Sequence, residues 1–204
     1  INVLNKMKSK FITQGQANGH DPKVLEKIWG DWEKFASYAF NKSHATCYSW
    51  VAYQTAYLKA NYPAELMAAN LTCNKNNIAD VTKFMEECVA MNIVVNGPNV
   101  NESMLNFTVN DEGHIVYGLA GVKGVGENAA LEIINEREKN GKFKDIYDFM
   151  ERINLSSCNR KTIETLTYAG GFDCFEGLQR EQLFAPIKKD SEEKGLDVLM
   201  KYAQ

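Results

Sequence analysis

The stretch Val122-Lys123-Gly124-Val125-Gly126 directly precedes a segment of strong helical periodicity and decides how the second half of the chain folds. Two glycines around one apolar residue let the backbone turn tightly and come close to another molecule. The helix predicted over residues 127–139 has in phase Ala130, Ile133, Ile134 and Arg137. We expect Val125 to anchor the turn in the core. The amides at the start of the helix then point outward, where they can bind a phosphate oxygen.

This arrangement is typical of a helix-hairpin-helix module, which binds the backbone of a nucleic-acid duplex without reading its bases. Lys123, beside the first glycine, adds a positive charge at the same place. A second glycine turn, Ala169-Gly170-Gly171-Phe172-Asp173, lies between two further predicted helices, so the pattern of helix, glycine turn and helix occurs twice. A glycine pair before a helix is also common in other proteins, and an ordinary structural turn is the alternative explanation.

Helix signals dominate the first ninety residues. Asp21-Pro22 starts a helix well, because Asp caps the first amides and Pro suits the first helical position. The apolar residues that follow at helical spacing are Leu25, Ile28, Trp29, Trp32, Phe35 and Ala36. Ser43 is predicted to cap a second helix, whose apolar face carries Tyr48, Val51, Ala52, Thr55 and Leu58. Asn77 is the predicted cap of a further helix.

Strand signals appear after residue 91. Ile93-Val94-Val95 predicts a short strand. Residues 105–109 and 114–117 predict a strand pair joined by the hairpin loop Asn110-Asp111-Glu112-Gly113. Further helices are predicted near residues 146–153 and from about 159 to 168. The predicted fold class is therefore mainly α with a small β element.

The composition narrows the class of protein. Hydrophobic residues make up 45% and charged residues 24% of the 204 residues, as in ordinary globular proteins. No apolar run reaches the roughly 18 residues that span a bilayer, so no membrane partner is expected. The five cysteines are scattered without a C-x-x-C pair, which gives no support to a zinc site and favours a reducing cytoplasm. Because the chain begins with Ile1 rather than Met, we expect a segment of a longer protein.

Positive charge is concentrated in the first third of the chain, around the polar stretch Phe40-Asn41-Lys42-Ser43-His44. The net charge is −3, yet residues 1–62 carry eight lysines against four acidic residues. Lys42 is a point charge suited to phosphate oxygens, and a polyphosphate favours the charged form of His44. Tyr38, just upstream, can pack against a sugar or a base. The stretch is a candidate polyanion site, and a plain capped surface loop is the alternative.

Longer motifs around this stretch carry a resemblance to a known family. Tyr38-Ala39-Phe40-Asn41-Lys42-Ser43-His44 is followed by Val51-Ala52-Tyr53-Gln54-Thr55-Ala56-Tyr57-Leu58-Lys59-Ala60 and Tyr62-Pro63-Ala64-Glu65. Together with residues 143–152 and 169–173, these motifs resemble the alpha subunit of bacterial DNA polymerase III, the C-family replicative polymerase. The similarity covers nearly the whole chain in family order.

The resemblance implies a division of the chain into parts. Residues 1–115 are expected to belong to the polymerase fingers, with the strand-bearing segment at about 92–117. Residues 116–187 are expected to form a tandem helix-hairpin-helix domain that holds newly made duplex. Residues 188–204 are expected to be a C-terminal extension.

The resemblance also implies roles for individual residues. In the family, the residues that match Tyr38, Lys42 and His44 face the incoming nucleotide and its triphosphate. Asn41 and Ser43 lie in the same nucleotide-binding motif. In the hairpin, the residues expected to bind DNA are Lys123, Gly124, Val125 and Gly126. The sequence departs from the family pattern where Ala39 replaces the usual Gly, which concerns the local backbone rather than the phosphate chemistry.

The resemblance places the catalytic carboxylates outside this sequence. Nucleotide addition needs two metal ions held by carboxylates, and the family carries those aspartates in a palm domain. The chain contains no D-x-D motif, so we expect neither a catalytic residue nor a metal ligand in it, and Mg²⁺ belongs to the full-length enzyme. The expected partners are primer-template DNA, dNTP and, in the full enzyme, the sliding clamp and other replicase subunits of the bacterial cytoplasm.

Two other classes of protein remain open on the residues alone. A stand-alone helix-hairpin-helix accessory or repair protein would explain the hairpin, but not residues 35–65. A helical scaffold without a nucleic-acid role would explain neither motif. Measurements of duplex and nucleotide binding separate these possibilities.

Overall fold

The structure, a computed structural model, describes residues 2–37, 42–188 and 192–202. The chain divides into two compact units, Ile1–Tyr57 and Leu58–Gln204. The predicted fold class is confirmed, because helices predominate and the described strands form one three-stranded sheet. The domain boundaries predicted near residues 115 and 187 stay predictions.

The first unit is built from helices, which are α1 (Asn2–Ala17), α2 (Pro22–Ser37) and the beginning of α3 (Lys42–Asn61). The predicted start of α2 is confirmed, because the carboxylate of Asp21 accepts a hydrogen bond from the amide of Lys23 at 2.9 Å. α1 packs on α2 through the Phe11 ring, whose centroid lies 5.5 Å from that of Trp29 and 5.0 Å from that of Trp32. Aromatic contacts of this kind stabilise a small core.

The second unit holds the end of α3 and all the later elements. They are α4 (Pro63–Cys73), α5 (Ile78–Ala90), β1 (Val95–Asn96), β2 (Thr108–Val109), β3 (Ile115–Val116), a 3₁₀ helix (Leu119–Gly121), α6 (Glu127–Asn140), α7 (Ile146–Arg152), α8 (Arg160–Ala169), α9 (Arg180–Phe184) and α10 (Gly195–Tyr202). Asn77 caps α5 as predicted, since its side chain accepts a hydrogen bond from the amide of Ala79. The side chain of Asn159 likewise accepts the amide of Thr162 at the start of α8.

The sheet has the strand order β1-β3-β2. β2 and β3 form the predicted antiparallel pair, with Val109 opposite Ile115, and β1 runs parallel to β3. The side-chain oxygen of Asn110 fixes the hairpin loop, because it accepts hydrogen bonds from the amides of Glu112 and His114. β1 begins at the last residue of the strand predicted there, so its position is shifted along the chain.

Two hydrophobic clusters form the core of the second unit. The smaller cluster joins α4 and α5 to the sheet through Met67, Ala68, Leu71, Val81, Cys88, Phe107 and Ile115. The larger cluster joins the 3₁₀ helix to α6, α7, α8, α9 and α10, and its fully buried members include Leu119, Ile133, Phe149, Ile163 and Leu166. The glycine turn at residues 122–126 belongs to the larger cluster through Val122 and Val125. The turn is therefore built on a packed core.

Helix α3 differs from its prediction in two respects. It begins at Lys42, so Ser43 lies in its first turn and is not the cap. The predicted apolar face is not packed: Tyr48, Val51 and Leu58 are 64%, 53% and 41% exposed, and no residue of the helix is buried. Helical spacing shows which side chains share a face, but it does not show whether another element covers that face.

Candidate nucleic-acid interface

The candidate site is the turn that joins the 3₁₀ helix to α6. The amide of Val122 donates to the carbonyl of Leu119 at 3.2 Å, and the amide of Val125 donates to the carbonyl of Val122 at 2.9 Å. Gly126 is the N-cap of α6, and its carbonyl accepts the amide of Ala130 at 3.0 Å. These bonds define a tight turn that ends in a helix N-terminus, where backbone amides attract anions.

The two glycines of the turn have different structural roles. Gly124 has a φ of +101°, in the region that favours glycine, and a Cβ added there would lie 3.3 Å from Oγ1 of Thr165 on α8. Gly126 has an ordinary φ of −75°, and a Cβ added there would meet open space. Gly124 therefore shapes the turn, whereas Gly126 leaves the backbone open to the approach of another molecule.

Successive side chains of the turn alternate between core and solvent. Val125 is only 7% exposed and contributes to the larger hydrophobic cluster, which confirms that it anchors the turn. Lys123 is exposed. The turn can therefore present a cation and open backbone to solvent while its apolar residue holds it in place. The DNA-binding roles of these residues stay predictions.

A buried arginine fixes the position of α6. The guanidinium of Arg137 donates to the carbonyl of Val100 at 2.9 Å and to that of Ser103 at 3.1 Å. Burial lowers the pKa of Arg137 below its ordinary value. Because both carbonyls belong to the segment between β1 and β2, the helix that starts at the turn is tied to the strand-bearing segment.

An ion pair lies at the start of α6. Glu127, the first residue of the helix, pairs with Lys75 from the turn after α4, with 3.0 Å between Nζ and Oε1. The same Nζ lies 3.3 Å from Oδ1 of Asn106. Lys75 and Lys123 also line one cavity of about 310 Å³ that borders the turn. The sequence does not reveal this pair, because 52 residues separate its members, although Glu127 stands directly after the second glycine.

The second glycine turn is confirmed as a turn between helices, but the chain itself fills the space beside it. Gly170 ends α8 with a φ of +87°, and a Cβ added there would collide with the guanidinium of Arg180. That guanidinium pairs with Asp173 and donates to the carbonyl of Tyr168 at 3.1 Å. The hydrogen bond from Arg180 lowers the pKa of Asp173. This turn therefore does not offer the open backbone found at Gly126.

The loop between α7 and α8, residues 153–159, packs against the first turn of α6. The thiol of Cys158 is buried and donates to the carbonyl of Ala129 at 3.4 Å. Burial raises the pKa of Cys158 to about 12. The amide of Asn154 also donates to a carboxylate oxygen of Glu132 on α6, at 3.3 Å. Both contacts support the helix that starts at the hairpin turn.

Arg152 connects α6 to α7. Its Nε donates to Glu136 at 2.9 Å, and its Nη1 donates to Asp148 at 2.9 Å. The hydrogen bond from Arg152 holds the pKa of Glu136 below its ordinary value. The pKa of Asp148 is lowered by the amide of Lys144 and then by Arg152.

The described part of the candidate triphosphate site forms the first turn of α3. Lys42, Ser43 and His44 are all exposed there. Backbone amides at this end of a helix favour bound anions. Tyr38 and Asn41 lie outside the described residues. The role of these five residues in nucleotide binding stays a prediction.

The described residues contain no group of three or more His, Cys, Asp or Glu side chains placed to hold a metal ion. Within the same part of the chain, no helix combines the length and apolar character needed to cross a membrane.

Comparison with known proteins identifies a family match for the part of the chain that contains the turn. Residues 92–183 match the helix-hairpin-helix motif family, and this match contains the whole turn. The chain is 47% identical over 171 residues to the DNA polymerase III subunit alpha of Chlamydia trachomatis. It is 43% identical over 170 residues to that of Vibrio cholerae and 38% identical over 202 residues to that of Chlamydia pneumoniae. These alignments cover 84%, 83% and 96% of the chain.

Over the segment that it spans, the chain belongs to the family of DNA polymerase III alpha subunits. It covers 14% to 16% of the length of these relatives. The aligned stretches are longer than the part of the chain after residue 91. The similarity therefore extends beyond the hairpin family match into the helices that precede it.

Proposed function

We propose that the chain is a segment of a replicative DNA polymerase, in which the hairpin turn binds the backbone of the duplex formed during template-directed synthesis. The observation that carries the proposal is the open backbone at Gly126, at the N-terminus of α6, inside the segment that matches the helix-hairpin-helix family. Lys123 adds a cation beside it. Contacts to phosphate position a duplex without selecting its sequence.

Substitution of Gly126 by Ala tests the turn without disturbing its fold. The added methyl group meets open space and the φ is compatible with alanine, so the chain stays folded while the methyl group blocks close approach of a phosphate. We expect the affinity for a short labelled duplex of arbitrary sequence to fall by about tenfold, the effect of losing one or two charge-assisted bonds. Fluorescence anisotropy at several salt concentrations measures it.

Gly97→Ala is the matched control, because a Cβ at Gly97 also meets open space and this glycine lies outside the turn. The control variant is expected to bind duplex like the unaltered chain. For the control variant and for the unaltered chain, the affinity for the duplex should fall as the salt concentration rises, since duplex binding releases counterions. Equal affinities for Gly126→Ala and Gly97→Ala, or binding that salt leaves unchanged, would overturn the proposed role of the turn.

In the same proposal, the first turn of α3 contributes to binding the triphosphate of the incoming dNTP. Lys42 and His44 supply positive charge, and Ser43, Asn41 and Tyr38 supply further polar or stacking contacts. The support is the exposure of the described residues at a helix N-terminus, together with the family membership. The Mg²⁺ ions of the full-length enzyme, held by carboxylates outside this chain, would neutralise charge on the phosphates.

Lys42→Ala in the full-length polymerase tests the nucleotide site. Removal of this charge is expected to raise the KM for dNTP by about tenfold, because one charge-assisted contact to the triphosphate is lost. DNA affinity is expected to stay unchanged. Lys59→Ala is the control on the same helix, since Lys59 pairs with Glu87 rather than facing the proposed nucleotide. Steady-state kinetics that are identical for both variants would contradict this role.

The proposal includes the partners of a replicase, namely primer-template DNA, the sliding clamp and other replicase subunits, in the bacterial cytoplasm. A stand-alone helix-hairpin-helix accessory or repair protein is not favoured. Its hairpin would account for residues 92–183, but the polymerase relatives also match the helices before that segment.

A further inference from the structure

Lys75 is an unusually enclosed lysine beside the hairpin turn. Its side chain is 17% exposed, whereas Lys59, Lys83 and Lys201, which also form ion pairs, have side chains that are 52%, 74% and 72% exposed. Two acceptors hold its ammonium group, the carboxylate of Glu127 and the side-chain oxygen of Asn106. A lysine fixed in this way has a defined position relative to the turn, unlike a mobile surface lysine.

The partner of Lys75 lies where its charge matters for binding an anion. Glu127 is the first residue of α6 and follows Gly126, whose backbone is open to solvent. Its carboxylate, with a side chain that is 64% exposed, is favourable for the helix dipole but repels a phosphate at the same helix end. The ammonium of Lys75 cancels this charge at a distance of 3.0 Å.

A cavity connects the ion pair to the rest of the candidate site. The residues that line its volume of about 310 Å³ include Lys75, Lys123, Gly124 and Val125. The two lysines thus lie beside the same part of the turn, although 48 positions of sequence separate them in the numbering of the chain. The residues of the hairpin alone would place one cation, Lys123, and one carboxylate, Glu127, at the turn.

We propose that Lys75 is a positioning residue of the duplex site, which neutralises Glu127 and so sets the net charge that the hairpin turn presents to a duplex backbone. This inference rests on the proposed duplex binding by the turn. It adds a residue from the segment before the family match at 92–183. It also assigns Glu127 a restraining effect on the affinity for DNA.

The test compares Lys75→Met, Glu127→Gln and the double variant in the complete 204-residue chain. Lys75→Met leaves the carboxylate uncompensated, so duplex affinity at low salt is expected to fall by about threefold, and Glu127→Gln is expected to raise it by about threefold. The double variant is expected to return close to the unaltered chain. Lys75→Arg should restore binding, because arginine keeps the positive charge beside Glu127.

Lys59→Met and Glu87→Gln form the matched control, because they alter a lysine–glutamate pair, with 2.6 Å between Nζ and Oε1, whose members do not line the cavity beside the turn. These variants are expected to leave duplex affinity unchanged. The probe is a labelled duplex of arbitrary sequence, followed by fluorescence anisotropy. Circular dichroism establishes that each variant is folded.

Opposite changes in the two single variants distinguish a charge effect from a purely structural ion pair. If both single variants lower the affinity, or if neither changes it while the unaltered chain binds, the inference is overturned and the proposed function stands. If the unaltered chain does not bind duplex at low salt, the proposed function itself fails. Should Lys75→Met not fold, Glu127→Gln decides alone, because its exposed side chain can be changed without loss of the core and the expected increase is specific to charge.

Discussion

Gly124 illustrates how one residue determines the shape of the hairpin. Its φ of +101° lies where side chains with a Cβ are strained, and Thr165 leaves little room beside it. Gly126, two residues later, has neither restriction. The two glycines look equivalent in the sequence, so only the backbone angles and neighbours reveal that one serves the fold and the other is open to solvent.

Substitution of each glycine by alanine is expected to distinguish the two roles through its effect on the free energy of unfolding. Gly124→Ala should lower the free energy of unfolding by about 1–2 kcal/mol, because the left-handed backbone is strained and the methyl group presses on Thr165. Gly126→Ala should leave stability unchanged or raise it by up to about 1 kcal/mol, since the conformation suits alanine. Urea unfolding followed by circular dichroism measures both. A Gly126→Ala variant as unstable as Gly124→Ala would refute the assignment.

At this scale, the sequence predicted the residues that act within a few positions of one another. The burial of Val125 and the caps Asp21 and Asn77 follow from local chemistry. The partner of Glu127 was not predictable, because a lysine 52 residues away comes close only through packing. Lys42 and His44 were singled out by their residue types and by the family motif, and their role still awaits measurement.

Between elements, Arg152 is the main polar connection of α6 and α7. Its side chain is 18% exposed and reaches two carboxylates whose side chains are 17% and 22% exposed. The guanidinium also lies 4.5 Å from the ring centroid of Phe143. These three side chains are largely screened from water. Removal of the arginine therefore leaves Glu136 and Asp148 charged without their partner.

Arg152→Met is expected to lower the free energy of unfolding by about 2–3 kcal/mol at pH 7. Both carboxyl groups have lowered pKa values in the folded chain. Their stabilisation is therefore fully present above the ordinary pKa values of Asp and Glu, and is lost as pH falls through the lowered values. The difference between the variant and the unaltered chain should narrow below about pH 4.

Urea unfolding at pH 7 and below about pH 4 measures the difference in the free energy of unfolding. Lys83→Met is a suitable control, because its ion pair with Asp80 is exposed and should contribute less than about 1 kcal/mol. A deficit for Arg152→Met that stays constant down to about pH 3 would show that lost packing, rather than the ion pairs, causes the destabilisation.

Periodicity predicted most elements but not every packing partner. The strand pair 105–109 and 114–117 was recognisable because a polar turn interrupts alternating residues, and β2 and β3 lie within it. The helical spacing in α3 was correct, yet its apolar residues are exposed. The spacing of apolar side chains shows which face a helix can bury. It does not show which other element, if any, packs against that face.

At the scale of the whole molecule, the two candidate sites lie in different compact units. The hairpin turn and both hydrophobic clusters belong to Leu58–Gln204, whereas the first turn of α3 belongs to Ile1–Tyr57. The proposed duplex binding and the proposed triphosphate binding therefore belong to different compact units of the chain. This separation permits each proposed activity to be examined without the other.

A chain shortened to residues 58–204 is expected to unfold cooperatively and to bind duplex with the affinity of the complete chain. The physical reason is that the shortened chain keeps both clusters of the second unit and the ion pair at α6. Thermal unfolding and fluorescence anisotropy are the measurements, with Gly126→Ala in the shortened chain as the control for specific binding. Loss of duplex affinity with cooperative unfolding retained would place part of the DNA site in the first unit.

The anchoring of Val125 in the core has a consequence for the kinetics of the proposed duplex binding. A turn held by a buried side chain and by the hydrogen bond from its amide to Val122 is ordered before any duplex arrives. Association then requires little loss of conformational entropy at the turn and no slow rearrangement. The rate of encounter is set by diffusion and by the electric field around the lysines, so salt is expected to act chiefly on the association rate constant.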